Sequence, residues 1–171
     1  VTGWAMAVAV SEYGGLGIIH RYNTTEEQAF EVQRAHEEGA ERIGASVGIT
    51  GDFASRAKEL VRAGANLICV DVAHGHHSLM RHSLKVLRNT VGTSVHVMAG
   101  NVATLDGLDH LAEWGADSVR VGIGGGSICS TRIQTGHGVP TFQSVLDCAE
   151  TQQDITIIAD GGIKNSGDIV K

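Results

Sequence analysis

The chain has 171 residues, 42% of them hydrophobic and 19% charged, with a net charge of −6. That balance builds a globular core and excludes a disordered chain. It also argues against binding nucleic acid by neutralising phosphates, and no apolar run reaches the ~18 residues of a membrane span. The 23 glycines stand against a single proline, Pro140, and show no three-residue period, which removes the collagen and low-complexity classes. Three cysteines without a CxxC pair form neither a disulfide scaffold nor a Cys-type zinc site, so a reducing, cytoplasmic compartment is expected. No signal peptide is visible. The chain starts at a valine and ends in mid-pattern, as expected of a fragment.

Taken in chain order, Val1–Ser11 reads as a helix and Leu16–His20 as a short buried strand. Thr24-Thr25-Glu26-Glu27 offers an N-cap and early acids for a helix carrying Ala29, Val32 and Ala35. A strand follows at Arg42–Gly48, then a helix capped by Asp52 with Ala57, Leu60 and Val61 on one face. Asn66–Val72 is the next strand, and Ser78 opens a helix with Leu79, Leu84 and Leu87. Ser94–Gly100 is a strand, and Thr104 precedes a helix carrying Leu105, Leu108 and Leu111. Ser118–Ile123, a helix over Phe142–Ala149 and a strand at Ile155–Asp160 complete the pattern. Gly39-Ala40, Gly64-Ala65 and Gly115-Ala116 each follow a helix, where glycine fits a left-handed C-terminal cap.

Strand–helix alternation with near-continuous apolar strands predicts an α/β fold with a parallel sheet. His20, Gly48, Asp71, Asn101, Gly122 and Asp160 each stand at or just after a strand's C-terminal end, where a (β/α)8 barrel holds its active site. A complete barrel takes ~250 residues, so the expectation is one domain over residues 1–171 that is an incomplete (β/α)8 TIM barrel.

The segment with most chemistry is Arg120-Val-Gly-Ile-Gly-Gly-Gly-Ser-Ile-Cys-Ser-Thr-Arg132. Its glycines allow close backbone approach to a ligand, Ser127 can donate to a phosphate, and Cys129 is a candidate nucleophile. The same pattern also fits a surface loop with a bystander cysteine. Cys69 and Cys148 fall on apolar patterns and read as small core residues. His74-Gly75-His76-His77 supplies metal-type side chains but no HExxH pattern or helical i,i+4 pair, so it reads as a solvated or ligand-facing loop. Asp71 and Asp160 can each meet ribose hydroxyls or cap the next helix, and Gly161-Gly162 beside Asp160 favours a phosphate site.

Four segments, Asp71-Val-Ala-His-Gly-His-His77, Ala99-Gly-Asn-Val-Ala-Thr104, Gly122–Arg132 and Ala159-Asp-Gly-Gly-Ile163, resemble in order and spacing the inosine-5′-monophosphate dehydrogenase / GMP reductase family. Val1-Thr2-Gly3 is similar to the tail of that family's first-strand motif. The resemblance spans essentially the whole chain and implies a (β/α)8 barrel whose first and last strands lie outside it. The paired CBS modules that many family dehydrogenases insert after the second helix are absent, because Thr24–Glu38 runs directly into Arg42.

The resemblance implies that Cys129 attacks purine C2 and that Thr131 sits beside the reacting centre. It implies that Ser127 and Gly162 contact the nucleotide phosphate, Asp160 the ribose, and that Asn101 lies near the purine. Asp71, Arg120 and Gly122 would face the nicotinamide cofactor, NAD, or NADPH in a reductase. Backbone carbonyls of Gly124, Gly126 and Cys129 would hold a monovalent cation, K⁺. IMP or GMP would be the substrate and a homotetramer the assembly. Ser127-Ile128-Cys129 looks more like the dehydrogenases, and the missing CBS modules lean toward the reductases. Two departures stand out: glycine at 125 where the family often has proline, and an extra histidine, His77, that displaces the family's serine to Ser78. An inactive nucleotide-binding remnant and a phosphate-binding barrel of unrelated chemistry remain as alternatives.

Overall fold

The computed structural model describes residues 1–171. The chain alternates α1 (Trp4–Glu12), β1 (Gly17–Ile19), α2 (Thr25–Glu37), β2 (Ile43–Val47), α3 (Phe53–Arg62), β3 (Leu67–Asp71), α4 (Ser78–Val91) and β4 (His96–Val102). It continues through α5 (Leu105–Glu113), β5 (Ser118–Val121), α6 (Thr131–Thr135), α7 (Thr141–Cys148), β6 (Thr156–Ala159) and α8 (Ser166–Val170). The strands keep chain order in one sheet, β1 through β6, as in an incomplete (β/α)8 barrel. Internal contacts divide the chain into two compact units, residues 1–71 with 82–98, and residues 72–81 with 99–171. No helix is long and apolar enough to cross a membrane.

In the first unit β1 pairs in parallel with β2, and β2 with β3. All five residues of β2 are buried, as are the first four of β3, including Cys69. Val32 and Ala35 of α2 and Ala57 and Leu60 of α3 supply the helical side of this core. Thr24 forms the expected capping box, its hydroxyl accepting from Glu27 N–H while the Glu27 carboxylate accepts from Thr24 N–H. Asp52 stands at the N-cap of α3 but makes no side-chain cap; its carboxylate instead accepts from the Thr25 hydroxyl at 3.1 Å. A buried polar cluster lies between α2 and the strands. Gln28 Nε2 donates to the carbonyls of Ser46 (2.8 Å) and Ile19 (3.3 Å), and its Oε1 accepts from Arg56 at 2.9 Å.

In the second unit β5 pairs in parallel with β6, from Ser118 opposite Thr156 to Val121 opposite Ala159. Leu108 and Leu111 of α5 and Cys148 of α7 are fully buried. Thr104 caps α5 by accepting from Gly107 N–H. β6 closes the strand order and is partly exposed along its length, unlike the fully covered strand that its apolar sequence suggests. α4 opens at Ser78 as expected, and His77 before it caps the first turn, its Nδ1 accepting from Leu79 N–H at 3.0 Å. Leu79 is exposed, and Met80 is the buried residue at this end of the helix. Gly39, Gly64 and Gly115 have φ of 90°, 116° and 102°, the left-handed exits expected after α2, α3 and α5.

Candidate functional site

The candidate residues of the second unit gather around the ends of β4, β5 and β6. Asn101 lies within β4, which runs two residues past its expected end at Gly100. The extension has a cause in the backbone. Asn101 N–H donates to the Val72 carbonyl at 2.9 Å, and the Asn101 carbonyl accepts from Gly75 N–H at 2.7 Å, so the segment after β3 laces along β4. The Asn101 side chain is buried and bridges two strand ends: Nδ2 donates to the Gly122 carbonyl at 2.7 Å and to Asp160 Oδ2 at 2.6 Å. Its Oδ1 is buried with no hydrogen-bond partner, an acceptor available to a ligand N–H.

Asp160 follows β6 directly. Arg120 Nη2 reaches the same Oδ2 at 3.1 Å, so Arg120, expected beside the cofactor, braces this carboxylate. Both donors converge on Oδ2, so Oδ1 keeps its acceptor capacity for a further donor. Gly122 permits this approach. Its φ is 148°, and a Cβ there would stand 2.1 Å from the Asp160 carbonyl oxygen, so no other residue fits without moving β6.

The glycine-rich loop follows. Gly161 and Gly162 pack directly on the backbone of Gly125 and Gly126; a Cβ on Gly161 would lie 2.9 Å from the Gly126 nitrogen. Gly125 has a second neighbour. A Cβ there would lie 2.1 Å from Thr141 Oγ1, which is itself buried without a hydrogen-bond partner. The glycine that departs from the family's frequent proline is therefore matched to the threonine opening α7. A cavity of about 260 Å³ opens beside the loop, lined by Ile123, Gly124, Gly125, Arg132, Gly138 and Pro140.

Ser127 is exposed, Ile128 is fully exposed, and Cys129 is half-buried. The loop curls at this point, with Cys129 N–H donating to the Gly126 carbonyl at 3.2 Å. The Thr131 hydroxyl, bonded to the sulfur, holds the Cys129 thiol below its ordinary pKa. The Thr131 backbone adds to this, burial opposes it, and the Gly124 backbone and the Arg132 charge make smaller contributions in the lowering direction. A thiol so shifted carries more thiolate, the nucleophilic form, than an ordinary cysteine at the same pH. Cys148 is its opposite: burial first, then Asp147 and Asp109, push its pKa up to about 11. Cys69 and Cys148 are both fully buried, in keeping with a structural role.

Asp71 belongs to the first unit, half-buried as the last residue of β3, and its backbone carbonyl accepts from Arg21 Nη2 at 3.3 Å. Arg132 and Thr141 complete the list of participants. Arg132 closes the Gly122–Arg132 segment, where its position alone signals no role, and nothing in the sequence links Thr141 to Gly125.

Residues 1–171 match the family model described as the IMP dehydrogenase / GMP reductase domain. The chain belongs to this family. It is 48% identical over 131 residues to an inosine-5′-monophosphate dehydrogenase of Bacillus subtilis, covering 75% of this chain and 27% of the relative. It is 44% identical over 132 residues to a GMP reductase of Leishmania major, again covering 75% of this chain and 27% of the relative. A crystal structure of inosine 5′-monophosphate dehydrogenase from Legionella pneumophila superposes with a TM-score of 0.89 at 47% identity, over 99% of this chain and 50% of that one. The chain thus spans roughly a quarter of the length of these curated relatives and half of that solved chain.

Proposed function

We propose that this chain carries the nucleophile and nucleotide-binding elements of an NAD-dependent oxidation of IMP to XMP. The observation that carries the reading is the Cys129 thiol, half-buried at the turn of the glycine-rich loop and acidified by Thr131. In this reading the thiolate adds to purine C2, and a hydride leaves the resulting tetrahedral carbon. NAD⁺, when bound, accepts that hydride. Water then adds to the thioimidate carbon, the C–S bond breaks, and XMP departs with the thiol restored. Thr131, beside the sulfur, orders the attacking group and the water.

Asp160 Oδ1 accepts from the ribose hydroxyls while Asn101 and Arg120 hold Oδ2. Ser127 and Gly162 contact the phosphate, and Asn101 Oδ1 accepts from the purine. Asp71 and Gly122 face the dinucleotide. The carbonyls of Gly124, Gly126 and Cys129 hold a monovalent cation, K⁺, which fixes the cysteine loop. The donor chemistry fits, since neutral carbonyl oxygens suit K⁺, and the Gly126 carbonyl keeps a lone pair beyond its bond to Cys129 N–H. Soluble cytoplasmic enzyme and homotetramer are part of the same proposal.

Reductive deamination of GMP by NADPH is the second reading, favoured by the comparable identity to a named GMP reductase. Nicotinamide absorbance on the full-length protein separates the two. A rise with IMP and NAD⁺ supports the dehydrogenase, a fall with GMP and NADPH supports the reductase, and no change with either supports a nucleotide-binding remnant.

A further inference from the structure

Within the second unit, three metal-type side chains from two elements meet away from the cysteine loop. His76 comes from the segment after β3, and Asp106 and His110 stand one turn apart on α5, with their donor atoms all within 4.8 Å of one another. His76 Nε2 and His110 Nδ1 face each other at 2.8 Å. Asp106 reaches both rings, Oδ2 to His76 at 3.8 Å and Oδ1 to His110 at 3.8 Å. Trp114, one further turn along, stacks on His110 with ring centroids 5.5 Å apart and an 8° interplanar angle, and lies tilted over His76 at 6.1 Å. The indole thus fixes the plane of one imidazole and shields one side of the cluster.

We propose that His76, Asp106 and His110 form a binding site for a divalent transition-metal ion, with Zn²⁺ as the chemical match. Two imidazole nitrogens and a carboxylate are a borderline donor set, suited to Zn²⁺ and its neighbours and poorly suited to Mg²⁺ or Ca²⁺. Ligands at 2.0–2.1 Å in tetrahedral array stand about 3.3 Å apart. The imidazole nitrogens now stand 2.8 Å apart and the carboxylate reaches each ring at 3.8 Å through a different oxygen, so binding requires the rings to part slightly and the Asp106 side chain to swing inward. Asp106 is 74% exposed and His110 40% exposed, which leaves an open side for a water as fourth ligand. The carboxylate offsets the repulsion between the cation and the positive end of α5, near which Asp106 lies. Asp106 and His110 form the helical i,i+4 pair that the His74–His77 segment lacks by itself. A bound ion would pin that segment to α5.

The test is calorimetric titration of Zn²⁺ alone into the full-length, tag-free protein after removal of metals by chelator. The site predicts one strong Zn²⁺ per chain. His76→Ala and His110→Ala should each weaken binding by more than the roughly 10–100-fold that losing an outer-shell partner costs, while His82→Ala, an exposed histidine outside the cluster, leaves it unchanged. His110→Ala places alanine on a half-exposed helix face and should not unfold the chain; thermal melts of each variant check this. Absence of binding at millimolar Zn²⁺, or unchanged affinity in either histidine variant, overturns the proposal. The readout requires no turnover, so it stands or fails independently of the dehydrogenase reading.

Discussion

Asn101 and Asp160 stand 59 residues apart in the chain, yet the Asn101 amide donates to Asp160 Oδ2 at 2.6 Å. The same amide nitrogen holds the Gly122 carbonyl, so one buried side chain sets the ends of β4, β5 and β6 against each other. A hydrogen bond to a charged group contributes about 1.5–3 kcal/mol. Asn101→Leu removes it and should lower kcat/KM for IMP in the full-length protein by about 10–100-fold, with most of the change in KM. Steady-state kinetics with IMP varied and NAD⁺ saturating checks this. An unchanged KM would show that the orientation of Asp160 does not govern nucleotide binding.

Cys129 and Thr131 give a pH-dependent expectation. Because the thiol pKa is lowered, Cys129 carries more thiolate near neutral pH than an ordinary cysteine and should alkylate faster. Thr131→Val removes the largest cause and should shift the pH–rate profile of iodoacetamide labelling to higher pH. The variant is then slower at pH 7 and converges with the parent at alkaline pH. Mass spectrometry should place the label on Cys129, with Cys69 and Cys148 protected. Cys148 adds a linkage effect of fixed sign. Its folded pKa, raised to about 11, means that the stability it contributes is complete below the ordinary thiol pKa and is lost as pH rises toward 11.

Much of the frame was legible in the sequence, for local reasons. β-branched apolar runs placed all the strands, and Thr24 and Thr104 marked their helices because an N-cap needs only its own first turn. The misplacements are where a distant group decides. Asp52 forgoes its own helix for the Thr25 hydroxyl, and β4 runs on to Val102 because Val72 and Gly122 offer it backbone partners. At the candidate site, residue types were readable but their pairing was not. Arg120 reads as a lone basic residue on a strand until Asp160, from the next strand end, folds against it. The Thr131 hydroxyl on Cys129 lies within one motif, and the match of Thr141 to Gly125 crosses the loop and α6.

Gln28 anchors the first unit. It is fully buried and satisfies two strand carbonyls while accepting from Arg56. Gln28→Leu conserves much of the volume but strips the Ser46 carbonyl and the Arg56 guanidinium of these bonds. Unsatisfied buried groups cost about 1–3 kcal/mol each, more when charged, so the variant should lose about 2–4 kcal/mol. Ser46→Ala, which removes only the hydroxyl bond to the Ile19 carbonyl, should lose about 1 kcal/mol. Urea unfolding of both variants checks the order, and a Gln28→Leu protein as stable as its parent would remove the cluster from the stability account.

Gly125 and Thr141 make the last expectation a coupled one. Gly125→Pro restores the family's frequent residue but drives its Cβ into the space that Thr141 Oγ1 holds at 2.1 Å. Overpacking of this kind costs about 1–3 kcal/mol unless the neighbour yields. Thr141→Ala alone should be nearly neutral, because the buried Oγ1 has no hydrogen-bond partner to lose. In the double variant the hydroxyl is gone, its Cβ would sit at an ordinary 3.4 Å, and the proline's rigidity stiffens the turn beside Gly161 and Gly162. The double variant should therefore be at least as stable as the parent, with a coupling energy of about 1 kcal/mol or more between the two sites. A thermal-melt cycle over the four proteins measures it. Additive effects would mean that the threonine rotates aside freely and that glycine at 125 answers to the loop's own backbone.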